Sequence, residues 1–309
     1  MKTKSLNGIA LVLIAILNAN AQADLFKVLA AKGSNSYRRG NSTEWKPLLA
    51  GTRLNAEDLV KVGVNCYLGL VHTPTGRTLE LKQSGTYEVI EMAKKVTATK
   101  TTFSQKYLEY VASELTEGEK QDINKNHRSH SKVTGSVERA LSSHNLRIFM
   151  PRTTDIVQNT VTLTWLKHKE AKIYVVTIKN MFEEILEKLE TEDTTITIDI
   201  SKYDLGDDKS ILWNVAIKGK EKIKSDDHNI RIIESKDLLA KIAELKSETN
   251  EETALNNLIK ATFYAQNNMF NEAKACYENA IKLAPEVSEF KKMYKSYLES
   301  VGLGDLYNY

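Results

Sequence analysis

Two short groups of side chains in this sequence are of types that can bind a metal ion. His127 and His130 are spaced as metal ligands can be, but no cluster of carboxylates or thiols accompanies them. A closed metal site needs a full set of ordered ligands. Asp204-Leu-Gly-Asp-Asp208 offers oxygens for calcium but lacks the further ligands of a calcium loop. The glycine and aspartates therefore predict a turn between strands, and we expect no metal and no cofactor.

Motifs of the common enzyme classes are also missing. Gly302-Leu-Gly304 lacks the third glycine of a dinucleotide fingerprint and follows a predicted helix instead of a strand. Cys66 and Cys276 have no local nucleophile motif, and no serine-hydrolase signature occurs. The two cysteines fall in different predicted domains, so we expect free buried thiols, with a disulfide between them as the alternative. Catalytic groups can also converge from distant positions, so no single missing motif excludes an enzyme. Taken together, the missing motifs nevertheless favour a protein that is not an enzyme.

The N-terminus has the three parts of a secretory signal. Lys2 and Lys4 precede an apolar run over residues 9–17, and the small-x-small site Ala21-Gln22-Ala23 follows. So short a run cannot cross a bilayer core of about 30 Å as a helix. The sequence predicts a signal peptide over residues 1–23, cleaved after Ala23, with an uncleaved anchor as the alternative. No later stretch is apolar and long enough to span a membrane. We expect an exported protein, in the periplasm first and at the cell surface or secreted second.

The charge balance bears on the kind of partner. The chain has 43 basic and 40 acidic residues, and two of its lysines lie in the signal, so 41 basic residues remain. A general nucleic-acid binder needs clustered positive charge, which a nearly neutral chain does not supply. We expect no nucleic-acid partner. The length of 309 residues allows two or three domains of ordinary size.

Residues 24–98 are predicted to form a β domain. One apolar run covers residues 62–71, a Thr-Pro-Thr-Gly turn follows, and residues 77–82 alternate. Leu79 and Leu81 are expected to face a core, while Glu80 faces water. The pattern over residues 26–89 resembles the FecR-like periplasmic domain. The residues that carry it are Trp45, Leu48, Gly51, Leu54 and Asp58, followed by a hairpin and Gly85-x-Tyr87-x-Val89.

That resemblance implies a binding module. Proteins for which the FecR family is named sense partners across a membrane, and they carry an inner regulatory segment and a spanning helix. This sequence has neither of these parts, so the resemblance implies binding without the signalling.

Residues 99–147 are predicted to form a helix and a flexible linker. The helix covers residues 102–117 and ends at Gly118, and it carries an apolar stripe of Phe103, Tyr107, Tyr110, Val111 and Leu115. Residues 119–147 are polar and basic, with few side chains able to form a core. Solubility explains this basic character most simply. An anionic partner, such as a polyanionic glycan or the membrane surface, is the alternative.

Residues 148–234 are predicted to form a second β domain. Alternating segments at short spacing suggest two packed sheets with buried tryptophans between them. The pattern resembles a fibronectin type III or other immunoglobulin-like domain. The residues that carry it are Pro151, Val161-x-Leu163-x-Trp165, Tyr174-x-Val176 and Trp213-x-Val215. Residues 182–189 have helical apolar spacing where a strand is expected, so both structures remain open for them.

Residues 235–309 are predicted to be helical. Ser235 is a helix cap, and helices are expected over residues 252–266, 271–283 and 287–301. Small residues and tyrosines recur where two helices of a repeat cross, which resembles the tetratricopeptide (TPR) family. The residues that carry the resemblance are Ala261, Tyr264, Ala273, Tyr277, Ala280 and Pro285. Asn257 and Lys260 depart from it, because the family usually has large apolar residues there.

These modules together predict a multidomain α+β chain. The three resemblances imply a non-catalytic exported adaptor or scaffold that mediates protein–protein interaction in the bacterial cell envelope. Core packing does not explain Asn256, Asn257 and Lys260, so we expect them to be exposed and to contact a partner. A periplasmic ligand-sensing regulator is the alternative. A hydrolase of envelope polymers is a third class, and it predicts a pocket where carboxylates and a histidine converge.

Overall fold

The computed structural model describes residues 24–96, 101–117, 146–207 and 209–307, and within them the fold is mixed α+β. The predicted signal peptide and most of the predicted linker, with His127 and His130, lie outside these residues. The first β module comprises residues 24–96. Its elements are β1 (Phe26–Lys32), β2 (Ser36–Arg38), β3 (Lys46–Pro47), β4 (Arg53–Leu54), β5 (Leu59–Val62), β6 (Tyr67–His72), β7 (Arg77–Leu81), β8 (Gly85–Glu88) and the helix α1 (Val89–Lys95).

The first β module packs two four-stranded sheets, ordered β4-β1-β6-β7 and β3-β2-β5-β8. Val60 and Val62 of β5 are buried and Lys61 between them is exposed, as expected for a strand with one face on a core. Their buried partners include Val28 of β1 and Leu68 of β6. The hydrophobic core of this module therefore lies between the two sheets.

The apolar run over residues 62–71 contains parts of two strands and the turn between them. β5 ends at Val62 and β6 begins at Tyr67, with Asn65 at a φ of 54° in the turn between them. A Cβ added at Gly63 would lie 2.8 Å from the carbonyl oxygen of Ser34, so the backbones approach too closely for any larger residue. Apolar residues at a packed turn resemble a buried strand in sequence, so the run by itself does not show where the chain turns.

The helix predicted over residues 102–117 is confirmed as α2 (Gln105–Glu117). Tyr107, Leu108, Val111 and Leu115 are buried on one side of it, at the spacing of an amphipathic helix. α2 is therefore docked on the rest of the protein along its whole apolar face.

The central β module comprises residues 146–233. Its strands are β9 (Thr153–Ile156), β10 (Thr160–Thr164), β11 (Tyr174–Lys179), β12 (Ile185–Thr191), β13 (Thr195–Asp199), β14 (Ser210–Ile217), β15 (Lys220–Lys224) and β16 (His228–Ile232). A sheet of six strands has the order β12-β11-β14-β16-β9, with β15 paired to β14, and β10 and β13 form a second sheet. β9 pairs with β16 in parallel. Trp165 and Trp213 are both buried in the core of this module.

The open question about residues 182–189 is resolved in favour of a strand. Residues 185–189 belong to β12, which pairs with β11 in antiparallel register. Leu186 and Leu189 pack against the core, whereas Phe182 and Ile185 are exposed. The helical spacing of these four residues was misleading because two of them do not face the core.

The helical region comprises residues 235–307. Its helices are α3 (Lys236–Glu248), α4 (Ala254–Gln266), α5 (Phe270–Leu283) and α6 (Ser288–Ser300). Ser235 caps α3 by accepting a hydrogen bond from the backbone N–H of Leu238, as predicted. Thr253 caps α4 by accepting one from Asn256. No helix in the described part of the chain combines the length and apolar character needed to cross a membrane.

One continuous hydrophobic core joins the helical region to both β modules. Its buried members include Tyr67 of the first module, Val111 of α2, Trp213 of the central module and Phe263 of α4. The ring of Tyr67 meets that of Phe290 of α6 edge-on, with centroids 5.9 Å apart. The helices therefore lie between the two β modules and contact both of them.

Polar groups from remote segments cap the helices at these contacts. Glu80 of β7 accepts hydrogen bonds from the Tyr67 hydroxyl at 2.8 Å and from the backbone N–H of Leu255 at 2.7 Å. The expectation that Glu80 faces water is therefore wrong, since its side chain is 5% exposed. Thr154 of β9 similarly accepts from the backbone N–H of Phe270, the first residue of α5. Each helix start gains a partner for an N–H that the helix itself leaves unbonded.

Glu248, the last residue of α3, fastens α2 in the same way. Its carboxylate accepts hydrogen bonds from the backbone N–H groups of Thr102, Phe103 and Ser104, at 2.7–3.3 Å. The Arg77 guanidinium donates to its carbonyl oxygen. Burial by itself raises the pKa of the Glu248 carboxyl, but these backbone hydrogen bonds outweigh it and the net shift is downward. The ionised form is therefore favoured in the folded state.

We expect Glu248→Gln to lower the free energy of unfolding at neutral pH by about 1–2 kcal/mol, because charge-assisted hydrogen bonds are lost from a half-exposed site. A folded pKa below the carboxyl's ordinary value of 4.5 stabilises the fold above that pH. This stabilisation is lost as pH falls through the folded pKa. Urea unfolding across a pH series should show the difference between variant and wild type shrinking in acid. A difference that stays constant with pH would contradict the assignment.

Candidate functional site

The helices α4 and α5 hold the residues that the sequence marks for a repeat. Ala261, Ala273 and Ala280 have no exposed surface, and Tyr264 and Tyr277 are buried beside them. The turn between the helices places Asn268 at a φ of 56°. Pro285 lies two residues beyond the end of α5, where its ring cannot disturb the helix. Small side chains let the two backbones approach, and the tyrosines fill the space beside them.

The remaining faces of α4 are covered by the protein itself. α5, α2 and β7 all contact this helix. The ring of Phe263 packs edge-on against Phe103 at 5.8 Å and Tyr107 at 5.4 Å, measured between centroids. Ten of the 13 residues of α4 are buried. A helix buried on nearly all sides belongs to a core and leaves little surface for a partner.

The expectation that Asn256, Asn257 and Lys260 are exposed is wrong for the two asparagines. The Asn256 amide oxygen accepts a hydrogen bond from the Thr78 hydroxyl of β7 at 2.7 Å. Asn257 is 2% exposed, and its amide nitrogen donates to Glu252 and to the Thr253 carbonyl. The Lys260 side chain retains 16% exposure beside Glu252. These polar side chains are explained by bonds within the chain.

Among the described residues, the most exposed aromatic side chain lies instead at the turn between β11 and β12. We call residues 180–185 the hairpin tip. Phe182 is 79% exposed, Ile185 is 56% exposed and Met181 is 39% exposed. These three exposed apolar side chains lie within five consecutive residues. Sequence reasoning left this segment undecided, although apolar residues next to Asn180 and two glutamates were an available turn signal.

The hairpin tip is held in one conformation by hydrogen bonds. The Asn180 side-chain oxygen accepts from the backbone N–H groups of Phe182 and Glu184, both at 3.0 Å. Its amide nitrogen donates to the Glu184 carboxylate at 2.7 Å. Glu183 adopts a φ of 64°, which reverses the chain. The turn therefore presents its apolar side chains on an organised backbone.

A shallow cleft of about 290 Å³ lies on the first β module. Its lining residues are Ala56, Glu57, Asp58, Leu59, Glu88 and Ile90. The Asp58 carboxylate is already engaged, because it bonds to Arg39 at 2.6 Å and to the backbone N–H of Asn55 at 2.8 Å. Ile90 is partly exposed at its edge. The cleft thus combines apolar surface with the carboxylates of Glu57 and Glu88.

Both cysteines are free thiols, as expected, and the alternative disulfide is not formed. Burial raises the pKa of the Cys276 thiol to about 11, so it stays protonated at neutral pH. Burial lowers the pKa of His228 to about 4, and one ring nitrogen bonds to the carbonyl oxygen of Pro151. Both groups are therefore uncharged at neutral pH.

Residues 204–208, whose oxygens could suit calcium, form a turn in their described part. The backbone N–H of Gly206 donates to the Asp204 side chain at 3.3 Å, and Gly206 has a φ of 56° that suits glycine. Asp208 lies outside the described residues. Within the parts of the chain that the structure covers, no three or more His, Cys, Asp or Glu side chains are placed to hold a metal ion.

Comparison with known proteins gives little further information. No family model matches the chain, and no curated protein matches it. Among solved structures, the chain is similar to the crystal structure of the Clostridium perfringens spore cortex lytic enzyme SleM. The identity is 18%, the match covers 28% of this chain and 26% of that one, and the TM-score is 0.20. The match spans about a quarter of that enzyme's length, and so weak a likeness carries no argument.

Proposed function

We propose that this chain is an exported, non-catalytic adaptor or scaffold that binds other proteins in the bacterial cell envelope. The observation that carries the proposal is the hairpin tip, where an ordered turn holds Phe182 almost fully in solvent beside Met181 and Ile185. Contiguous exposed apolar side chains on a folded surface mark interaction sites. A rigid aromatic that inserts into a pocket is a frequent centre of binding energy.

In this proposal the helical region is structural. The TPR-like hairpin connects the FecR-like and immunoglobulin-like modules, because its first helix contacts β7 and the start of its second helix bonds to Thr154 of β9. The proposal therefore places the partner on a β module instead of on Asn256, Asn257 and Lys260 of the repeat. The predicted secretory signal and the three family resemblances support the envelope setting.

The hairpin tip can be tested by site-specific photocrosslinking in cells that make the protein. We expect a benzophenone side chain at position 182 to give a discrete crosslink to an envelope protein. The same group at position 64 is the control, because Val64 is 76% exposed on the first β module. No crosslink from position 182, or the same product from both positions, would reject the proposal.

The partner recovered by crosslinking allows the contribution of Phe182 to binding to be measured. Phe182→Ser should weaken its binding by about thirtyfold or more, since truncating a central aromatic anchor commonly costs about 2 kcal/mol. Leu49→Ser, at an exposed apolar residue of the first β module, should leave binding unchanged. Equal losses in both variants would show a nonspecific hydrophobic effect.

The cleft on the first β module supports a second candidate function, a ligand-sensing regulator. Ile90 at its edge and the carboxylates of Glu57 and Glu88 suit a ligand with an apolar part and a positive charge. This candidate predicts that the purified protein associates with a membrane-spanning signalling protein, and that Ile90→Arg abolishes the association. Association that survives this substitution would count against the cleft as the sensing site.

A further inference from the structure

The strand β12 lies at the edge of the larger central sheet. Among the described strands it pairs with β11 on one side only. A sheet edge presents backbone N–H and C=O groups that can pair with a further strand. Edge strands in proteins are often short, and β12 has seven residues. Its free side is therefore long enough to accept another strand.

The two faces of β12 differ. Glu187, Leu189 and Thr191 are partly buried on the core side, whereas Lys188 and Glu190 are exposed on the outer side. A second strand that continues the sheet must keep this alternation, since residues directly opposite each other share a face. A second copy of β12 can therefore pair antiparallel only in registers where an odd residue faces an odd residue.

Charge distinguishes the registers whose two-fold axis lies at residues 187–190. A two-fold axis at Glu187, Lys188 or Glu190 would place that charge directly opposite its own copy, which is unfavourable. An axis at Leu189 places leucine opposite leucine. It also places Lys188 opposite Glu190 of the second copy, and this pair occurs twice by symmetry. The leucines then extend the core side of both sheets, and each outer side carries a pair of opposite charges.

We propose that two copies of this chain pair through β12 about a two-fold axis at Leu189 and form a symmetric dimer with one continuous central sheet. Each Glu190 then lies between two lysines, since it already pairs with Lys218 of its own chain at 2.6 Å. The bulge in the pairing with β11 falls between Glu187 and Ile185, so it lies just outside the paired segment, residues 187–191.

Charge reversal tests this dimer directly. Sedimentation equilibrium of the wild-type protein at increasing concentration should show a monomer–dimer equilibrium. Lys188→Glu should weaken the dimer about tenfold or more, because two attractive cross-strand pairs become repulsive. Glu190→Lys should do the same. An equimolar mixture of the two variants should restore dimerisation, because each copy then offers the charge that the other lacks.

The mixture also separates a lost interface from a lost fold, since misfolded variants do not rescue each other. Lys222→Glu on β15 is the matched control, a charge reversal at an exposed lysine of the same sheet that should leave the dimer intact. A wild type that stays monomeric at every concentration would overturn the proposal. So would a dimer that neither single variant weakens, or single variants whose mixture stays monomeric.

Discussion

Replacing Tyr277 by alanine should lower the free energy of unfolding by about 3–5 kcal/mol, the range for removing a large aromatic ring from a core. Tyr277 is buried in α5, and its ring stacks on Tyr294 and Tyr297 of α6 with centroids 5.4 and 5.3 Å apart. Its hydroxyl also lies near the Thr262 side chain of α4. One side chain thus joins three helices. Alanine would leave a cavity that these helices cannot close without separating.

The measurement is urea unfolding monitored by circular dichroism, with Tyr277→Phe as the matched control. Phenylalanine keeps the stacked ring and removes only the hydroxyl, so we expect a cost of about 1 kcal/mol. If alanine and phenylalanine cost the same, the ring contributes little and the stacked tyrosines are not what holds α5 to α6.

Replacing Ala273 by leucine should destabilise the protein by about 1–3 kcal/mol, the usual cost of forcing extra carbons into a packed core. Ala273 has no exposed surface, and it lies on α5 where this helix packs against α4. A leucine has no space between the two backbones, so the helices must move apart. Because α4 also contacts α2 and β7, the displacement would extend to the first β module.

Ala275→Leu provides the control for this prediction. Ala275 lies on the same helix two residues away but is exposed, so leucine there should change stability by no more than about 0.5 kcal/mol. Thermal and urea unfolding of both variants gives the comparison. Equal stability of the two variants would show that the helix crossing has room to spare. The predicted close approach of α4 and α5 would then be wrong.

The local sequence predicted the secondary structure well where the periodicity was strong. Ser235 was recognised as a helix cap, and the apolar stripe of Tyr107, Val111 and Leu115 predicted α2. Such signals are local, because helix caps and apolar spacing act within one or two turns. The apolar run over residues 62–71 shows the limit of this reasoning. Whether an apolar run is straight or turned depends on what packs against it, as Ser34 does against Gly63.

Local patterns could not predict which polar and apolar side chains are exposed to a partner. Asn256 and Asn257 looked exposed because polar side chains on a helix usually face water. They are buried because Thr78 and Glu252, from a distant strand and from the start of the helix, supply hydrogen-bond partners. Phe182 looked buried because apolar residues at helical spacing usually face a core, but it is exposed. Burial is a property of the assembled chain, so neither assignment can be made from spacing alone.

The amino-acid sequence by itself determined the identity and order of most helices and strands, the small residues at the α4–α5 crossing and the mixed α+β class. Only the tertiary structure decided that α4 is enclosed, that Glu80 and Glu248 cap remote helices, and that the hairpin tip remains in solvent. The physical reason is the distance along the chain over which each effect acts. Backbone periodicity acts over a few residues, whereas burial and capping join groups separated by more than a hundred residues in the chain.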